Sequence, residues 1–431
     1  MSGQGGRSVN TWWLAILFAL LAGSPSIAVG QDLAVTGGTV YTATGEVLEG
    51  ATVLIRDGII TAVGHDIEVP AGVPTVDATG RVVTPGLIDA TTSLGLVEVG
   101  MVSSTVDTRL EGDPVRAAFD VVDGINPRSI LIPVNRAAGL TTVLSAPGGG
   151  LIAGQAAIID LAGSSVDEMI VRPRAAMVAS YSAGAAGGAR GGASLRLREV
   201  LDDVRFWREN QAAFSAGGTR ELAASRLDLE ALGPVLDGET PLVVGVHRAS
   251  DIESVLRIAD EYGLDLVISG GEEAWLVADR IAAAGVPVLL KPLTNSPGGF
   301  DRLGSRFDNA MLLERAGVDV IIGSFNSHNA RWLLQEAGNA VRFGLPWDVA
   351  LRAVTLAPAQ ALGVGDRYGS LEPGKVGNLV VWTGDPFELS TRAEAVVIRG
   401  AVTSLDHRQL ELFRRYRELD EERPALKRLG F

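Results

Sequence analysis

A chain of 431 residues, 47% hydrophobic and only 20% charged, exceeds one average domain and carries enough apolar surface for a large core, which excludes disorder over most of its length. A formal net charge of -14 excludes nucleic acid and anionic lipid as partners, because both demand a basic patch that neutralises phosphate. With no cysteine, disulfides, thiolate metal sites and a cysteine nucleophile are excluded as well.

In chain order, Arg7, the apolar run Trp12 to Ala22 and the small residues before Gln31 read as a secretory signal over residues 1-30. The apolar run is too short to span a bilayer of about 30 Å. The mature protein is therefore expected in the periplasm or outside the cell, free of the membrane after cleavage. Residues 31-84 alternate short β-rich runs with turns. Among them, Asp57-Gly58 between two apolar runs predicts a tight hairpin.

From residue 85 the pattern changes to apolar strands followed by helical segments, which implies parallel βα units. The strands are expected at 141–144, 242–246, 266–269, 286–290 and 318–322. Each is a short continuous apolar run, as suits a strand covered on both faces. The triple glycine at 148–150 reads as a tight strand-to-helix turn. Ser182 to Ser194 is rich in glycine and alanine and predicts a mobile loop. Ser250 and Glu253 form a capping box ahead of a helix, and Trp275, Leu276, Ala278 and Ile281 put an apolar stripe on the next. After a further strand-rich stretch, Asp406 to Leu419 reads as a charged amphipathic helix within a tail of 406-431.

Thr84-Pro85-Gly86-Leu87-Ile88-Asp89-Ala90-Thr91-Thr92-Ser93 resembles the first barrel strand of the amidohydrolase superfamily, which reads Pro-Gly-Leu-Ile-Asp-x-His-x-His. Further segments extend the likeness to imidazolonepropionase-like and prolidase-like members. They include Asp123 to Pro127, Ala138 to Val143, Gly271 to Trp275, Asn329 to Arg331 and Gly369 to Lys375. The resemblance implies an α/β architecture: a TIM-type (β/α)8 barrel over 85-365 beside a small composite β-sandwich drawn from 31-84 and 366-405.

In active relatives the resemblance implies metal ligands at the two histidines of strand 1, at a lysine or glutamate on strand 4, at histidines ending strands 5 and 6, and at an aspartate ending strand 8. Carried onto this sequence, those positions hold Thr91, Ser93, Ala176, Gly245, Gly270 and Phe325. A neutral hydroxyl is a far weaker ligand than imidazole or carboxylate. Of the four histidines, His65 and His407 belong to the terminal segments, so only His247 and His328 can reach a barrel mouth.

The leading expectation is thus a scaffold without the hydroxide-generating metal: no catalytic residue, no cofactor, and a role as non-catalytic partner of a metal-competent homologue or as a self-oligomer. Thr91, Ser93, His247, Glu272, Asn326 and His328 are the candidate pocket residues. Two other readings stand beside it. One is an active hydrolase of cyclic amides or dipeptides with an atypical divalent metal site, such as zinc; the other is a module that binds a small molecule without turnover.

Overall fold

The computed structural model describes residues 31–417 apart from 186 and 295, so the expected signal segment and the end of the tail lie outside the described residues. Among the described residues no helix is long and apolar enough to cross a membrane.

The first sheet begins with β1 (Leu33–Tyr41), β2 (Val47–Arg56), β3 (Ile59–Gly64), β4 (Thr75–Asp77) and β5 (Val82–Pro85). The turn between β2 and β3 is Asp57-Gly58, both in the left-handed region at φ 50° and 77°, which matches the twist of a two-residue hairpin. One residue, Gly86, then separates β5 from β6 (Leu87–Thr92), where the chain passes from one sheet to the other. A Cβ at Gly86 would collide with the side chain of Thr141, so only glycine permits this close crossing.

The second sheet is the barrel: β6, β7 (Leu140–Ser145), β8 (Ile152–Asp160), β9 (Ile170–Ser180), β10 (Leu242–Val246), β11 (Leu266–Gly270), β12 (Val288–Leu290) and β13 (Val320–Ile322), neighbours in that order. One face carries Ile88, Leu144, Ile158, Ala176, Val243, Val267, Leu289 and Ile321, a contribution from every strand, and this cluster fills the interior. The alternate residues pack outward against the surrounding helices, as Val244, Ile268 and Ile322 do.

The third barrel strand departs from the expected βα repeat: β8 runs antiparallel to both β7 and β9. Only residues 146–151 connect β7 to β8, far fewer than a helical crossover requires, so the glycines at 148–150 make a hairpin turn and not a strand-to-helix turn. The flank left without a crossover helix is covered by the loop before β7, through bridges Val115 to Ile152 and Asp120 to Gln155.

Three further expectations are corrected. The segment 182–194 is not wholly loop, since the helix Arg190–Glu209 begins inside it. Buried Ala193 continues the stripe Leu197, Val200, Leu201 and Val204, and Arg190 is tied to Asp251 at 2.6 Å, which offsets the entropic cost of the glycines. The Ser250–Glu253 capping box does not form. The helix Ala249–Tyr262 starts earlier, and a carboxylate distant in sequence, Glu273, accepts from its Ala249 N–H at 3.1 Å. The segment at 275 opens as a 3-10 turn, Ala274–Val277, with Leu276 exposed, and only Ala278–Ala283 is α-helical.

The chain returns to the first sheet in β14 (Leu379–Trp382), β15 (Ala393–Ile398) and β16 (Ala401–Val402), with β14 pairing β5. Leu379 and Val381 pack into that sheet's own core, whereas Val380 and Trp382 join the barrel's outer core. The final helix, Arg408–Arg417, buries none of its residues.

A buried polar node cements the junction. Asp160, fully buried, accepts from Thr142 Oγ1 at 2.8 Å, Asn378 Nδ2 at 3.1 Å and Tyr368 Oη at 3.3 Å, with Arg399 Nε at 3.5 Å. Burial pushes its carboxyl up, and Arg399 and these hydrogen bonds work against that push. Replacing Asp160 with alanine is expected to cost about 3 kcal/mol, because it strands three buried donors and removes the carboxylate beside the part-buried Arg399 cation. Urea unfolding of the Asp160→Ala variant measures this directly.

Candidate functional site

The barrel mouth lies at the C-terminal ends of the parallel strands, where barrel sites form. Thr91, on β6, and Ser93, just after it, do not bond to a common neighbour. Thr91 Oγ1 donates to Asp89 Oδ1 at 2.6 Å and accepts from the Phe325 N–H at 2.8 Å, while Ser93 Oγ donates to the Ala146 carbonyl at 2.9 Å. One hydroxyl reaches toward β13 and the other toward β7.

The first of these contacts belongs to the barrel's seam. Among the described residues β13 and β6 end the sheet without a ladder between them. The gap is bridged by the Ser324 N–H to the Asp89 carboxylate at 3.3 Å, by Phe325 N–H to Thr91, and by Ser93 N–H to Ser327 Oγ at 2.9 Å. Asp89 is fully buried, and burial pushes its carboxyl up while the Ser324 and Thr91 hydrogen bonds pull the other way.

Of the other positions, Ala176 is wholly buried in the interior cluster and Gly245 lies in β10 between Ser180 and Ser269. Phe325 is 38% exposed at φ 50°. Asn326 is used locally: its Oδ1 accepts from the Asn329 N–H at 2.8 Å. His328 is exposed on the same loop, with Nε2 at 3.1 Å from the Glu98 carbonyl. Neither is bonded to His247.

His247 follows β10 and is the centre of a different group. Its Nδ1 lies 2.5 Å from Glu272 Oε2, and its Nε2 lies 2.9 Å from Arg302 Nη2. Arg302 Nη1 in turn lies 3.3 Å from Glu272 Oε1. A guanidinium can only donate, so Nε2 is the accepting nitrogen and Nδ1 carries the proton given to Glu272. The imidazole lone pair, the atom a metal would require, is engaged by arginine. Gly270 is needed here: a Cβ at that position would collide with the His247 ring, and its φ of 98° suits glycine.

Glu272 and Glu273 follow the strand β11 as a pair, and all four carboxylate oxygens are engaged. Glu272 takes His247 and Arg302, while Glu273 Oε1 accepts from the Gly304 N–H at 3.0 Å and Oε2 from the Ala249 N–H at 3.1 Å. Burial works to raise the Glu272 carboxyl, but the hydrogen bond from His247, with the electrostatic pull of that N–H and of the Arg302 cation, more than offsets it and holds the group below its usual range. Among the described residues no three His, Asp or Glu side chains converge as metal ligands would.

Arg302 and Glu273 were not among the residues that sequence reasoning selected. Their signals are an arginine in the glycine-rich stretch after β12, at the mouth end of the barrel, and a second carboxylate at the end of β11.

The sequence profile of the amidohydrolase family matches residues 301–403. An amidohydrolase of Hapsidospora irregularis, tasK, is 25% identical over 81% of this chain, and the chain spans only 39% of that relative's length. An imidazolonepropionase of Mesorhizobium japonicum is 27% identical over 78% of this chain and 87% of its own. The crystal structure of an amidohydrolase from Thermotoga maritima superposes with a TM-score of 0.79 at 29% identity, covering 86% of this chain and 99% of that one.

The lowered Glu272 carboxyl has a consequence for acid stability. A depressed carboxyl stabilises the fold fully above its unfolded value, near 4.5, and the contribution disappears as the pH falls through the folded value. Glu272→Gln removes that contribution, so wild type is expected to be the more stable at neutral pH and the gap between the two to narrow on acidification below pH 4.5. Thermal melts of both proteins across the acid range check this; a gap that stays constant with pH would count against it.

Proposed function

The chain belongs to the amidohydrolase superfamily, and from that premise we propose that it is a non-catalytic member whose mouth has exchanged a metal centre for an internal ion network. One observation carries this reading: the strongest donors at the mouth are already satisfied by the protein itself. The two nitrogens of His247 and the two oxygens of Glu272 are consumed by one another and by Arg302. Thr91 and Ser93 spend their hydroxyls on the seam and on the carbonyl after β7.

Zinc or a related ion asks for three or four deprotonated donors with open lone pairs, and a neighbouring guanidinium adds like-charge repulsion. The residues present do not fit such an ion, and no hydrolytic step is derived through one. Arg302 cannot replace the ion's chemistry either. It supplies positive charge but has no coordination site at which water could be acidified.

We infer further that the protein works as a subunit beside a metal-competent homologue. The support is the tasK relative, in which the stretch like this chain fills about two fifths of the length and leaves room for a second unit.

Protein prepared without chelators is expected to contain only traces of zinc and manganese, and to leave cyclic amides and dipeptides intact with or without added zinc. Stoichiometric metal, or zinc-dependent turnover, would overturn the non-catalytic reading in favour of an atypical hydrolase. Pull-down from the native source is expected to bring down a homologue with intact strand histidines, and recovery solely as monomer or self-oligomer would remove the subunit role.

A further inference from the structure

Residues 299–306 follow β12 and lie against the ends of the neighbouring strands β11 and β10. Three sets of contacts hold this strap down. Arg302 reaches His247 and Glu272, the Gly304 N–H donates to Glu273 at 3.0 Å while its carbonyl accepts from Trp275 Nε1 at 2.9 Å, and the Arg306 guanidinium lies 4.5 Å over the Trp275 ring. Every one of these partners lies just after β10 or just after β11. Phe300, ahead of these contacts, is 92% exposed, and Leu303, between Arg302 and Gly304, is 62% exposed.

The partners of Arg302 have a defined shape. His247 Nε2 and Glu272 Oε1 each accept from a different amino group of the same planar guanidinium. The two acceptors are fixed to one another through the bond from His247 Nδ1 to Glu272 Oε2, which sets the ring's tautomer and orientation. A collision at Gly270 is avoided only because that residue has no side chain, so the backbone itself makes room for the ring. Glu272 is 10% exposed and His247 19% exposed at the side chain, whereas Arg302 is 36% exposed. The acceptors are built into the barrel, and the cation arrives on the loop above them.

We propose that His247 and Glu272 form a recognition site for a planar guanidinium or amidinium cation, filled in cis by Arg302, and that its occupancy keeps the strap closed over the mouth. The inference rests on the reading above, in which no metal competes for His247. A compact ammonium ion cannot span both acceptors as the forked cation does, so lysine is not a conservative replacement at 302. A free guanidinium ion carries the same fork and can enter once the side chain is removed.

The test uses the full-length protein and its variants Arg302→Ala, Arg302→Met and Arg302→Lys, with circular dichroism to confirm folding. Arg302→Met keeps an apolar stem, so folding does not depend on the alanine variant alone. Limited chymotrypsin digestion reads the strap at Phe300, because cleavage needs a local opening that the Arg302 contacts oppose. All three variants are expected to be cut there faster than wild type, by about tenfold for alanine and methionine. Guanidinium chloride at low millimolar concentration, against sodium chloride at equal ionic strength, is expected to restore protection of Arg302→Ala with a saturable dependence. It should not protect wild type, whose site is full, or the double variant His247→Ala, Arg302→Ala, whose site is dismantled.

Unchanged cleavage in all three variants would overturn the strap. Absence of rescue in a folded Arg302→Ala or Arg302→Met protein, or equal rescue of the double variant, would overturn the recognition site. Metal content of the wild type is read separately, so a failure of the non-catalytic reading is distinguished from a failure of this one.

Discussion

Among the described residues eight strands make this barrel, and seven junctions between them are backbone ladders. The eighth depends on Asp89, whose carboxylate gathers a backbone N–H from β13's end and both the hydroxyl and N–H of Thr91. A ladder distributes closure over many equivalent bonds, whereas here it is concentrated in one buried carboxyl group, the Thr91 hydroxyl beside it and the Ser327 hydroxyl. Losing a buried acceptor leaves its donors without water or protein to bond, so the group at the seam is constrained more tightly than an ordinary strand residue.

The same principle, that buried polar atoms must find partners, organises the mouth. Glu272 and Glu273 are adjacent in sequence yet serve different neighbours. The first balances the charge of Arg302 and orients His247, and the second holds the strap backbone and the start of the helix Ala249–Tyr262. Two carboxylates placed close together in a metal enzyme would repel until a cation joined them. Here one guanidinium and a set of N–H donors provide the neutralisation, and the pair is a structural clamp.

Features governed by neighbours in sequence were legible in advance. The Asp57-Gly58 hairpin follows from two residues that tolerate left-handed φ, and the strands expected at 242–246 and 266–269 follow from apolar runs whose both faces are buried. The antiparallel direction of β8 was not legible, because a strand buried throughout has the same apolar pattern whichever way it runs. The cap of the helix Ala249–Tyr262 was misread for a similar reason: a local Ser and Glu at suitable spacing competed with a carboxylate 24 positions away, and the distant group won. At the site, His247 and Glu272 could be selected from their places at strand ends. Their bond to each other, and the arginine 55 positions beyond His247, depend on tertiary approach that no spacing encodes.

Thr91 also bears on how such a protein changes over generations. The resemblance places a histidine there in metal-binding relatives, but in this chain Thr91 packs against Gly323, where even a single added carbon would collide with it, and its hydroxyl receives the Phe325 N–H. An imidazole at 91 would be larger than the space and would leave Asp89 and Phe325 to find other partners. A histidine at that position therefore requires compensating change on the opposite strand first, so no single substitution at 91 brings in an imidazole without disturbing the closure of the barrel.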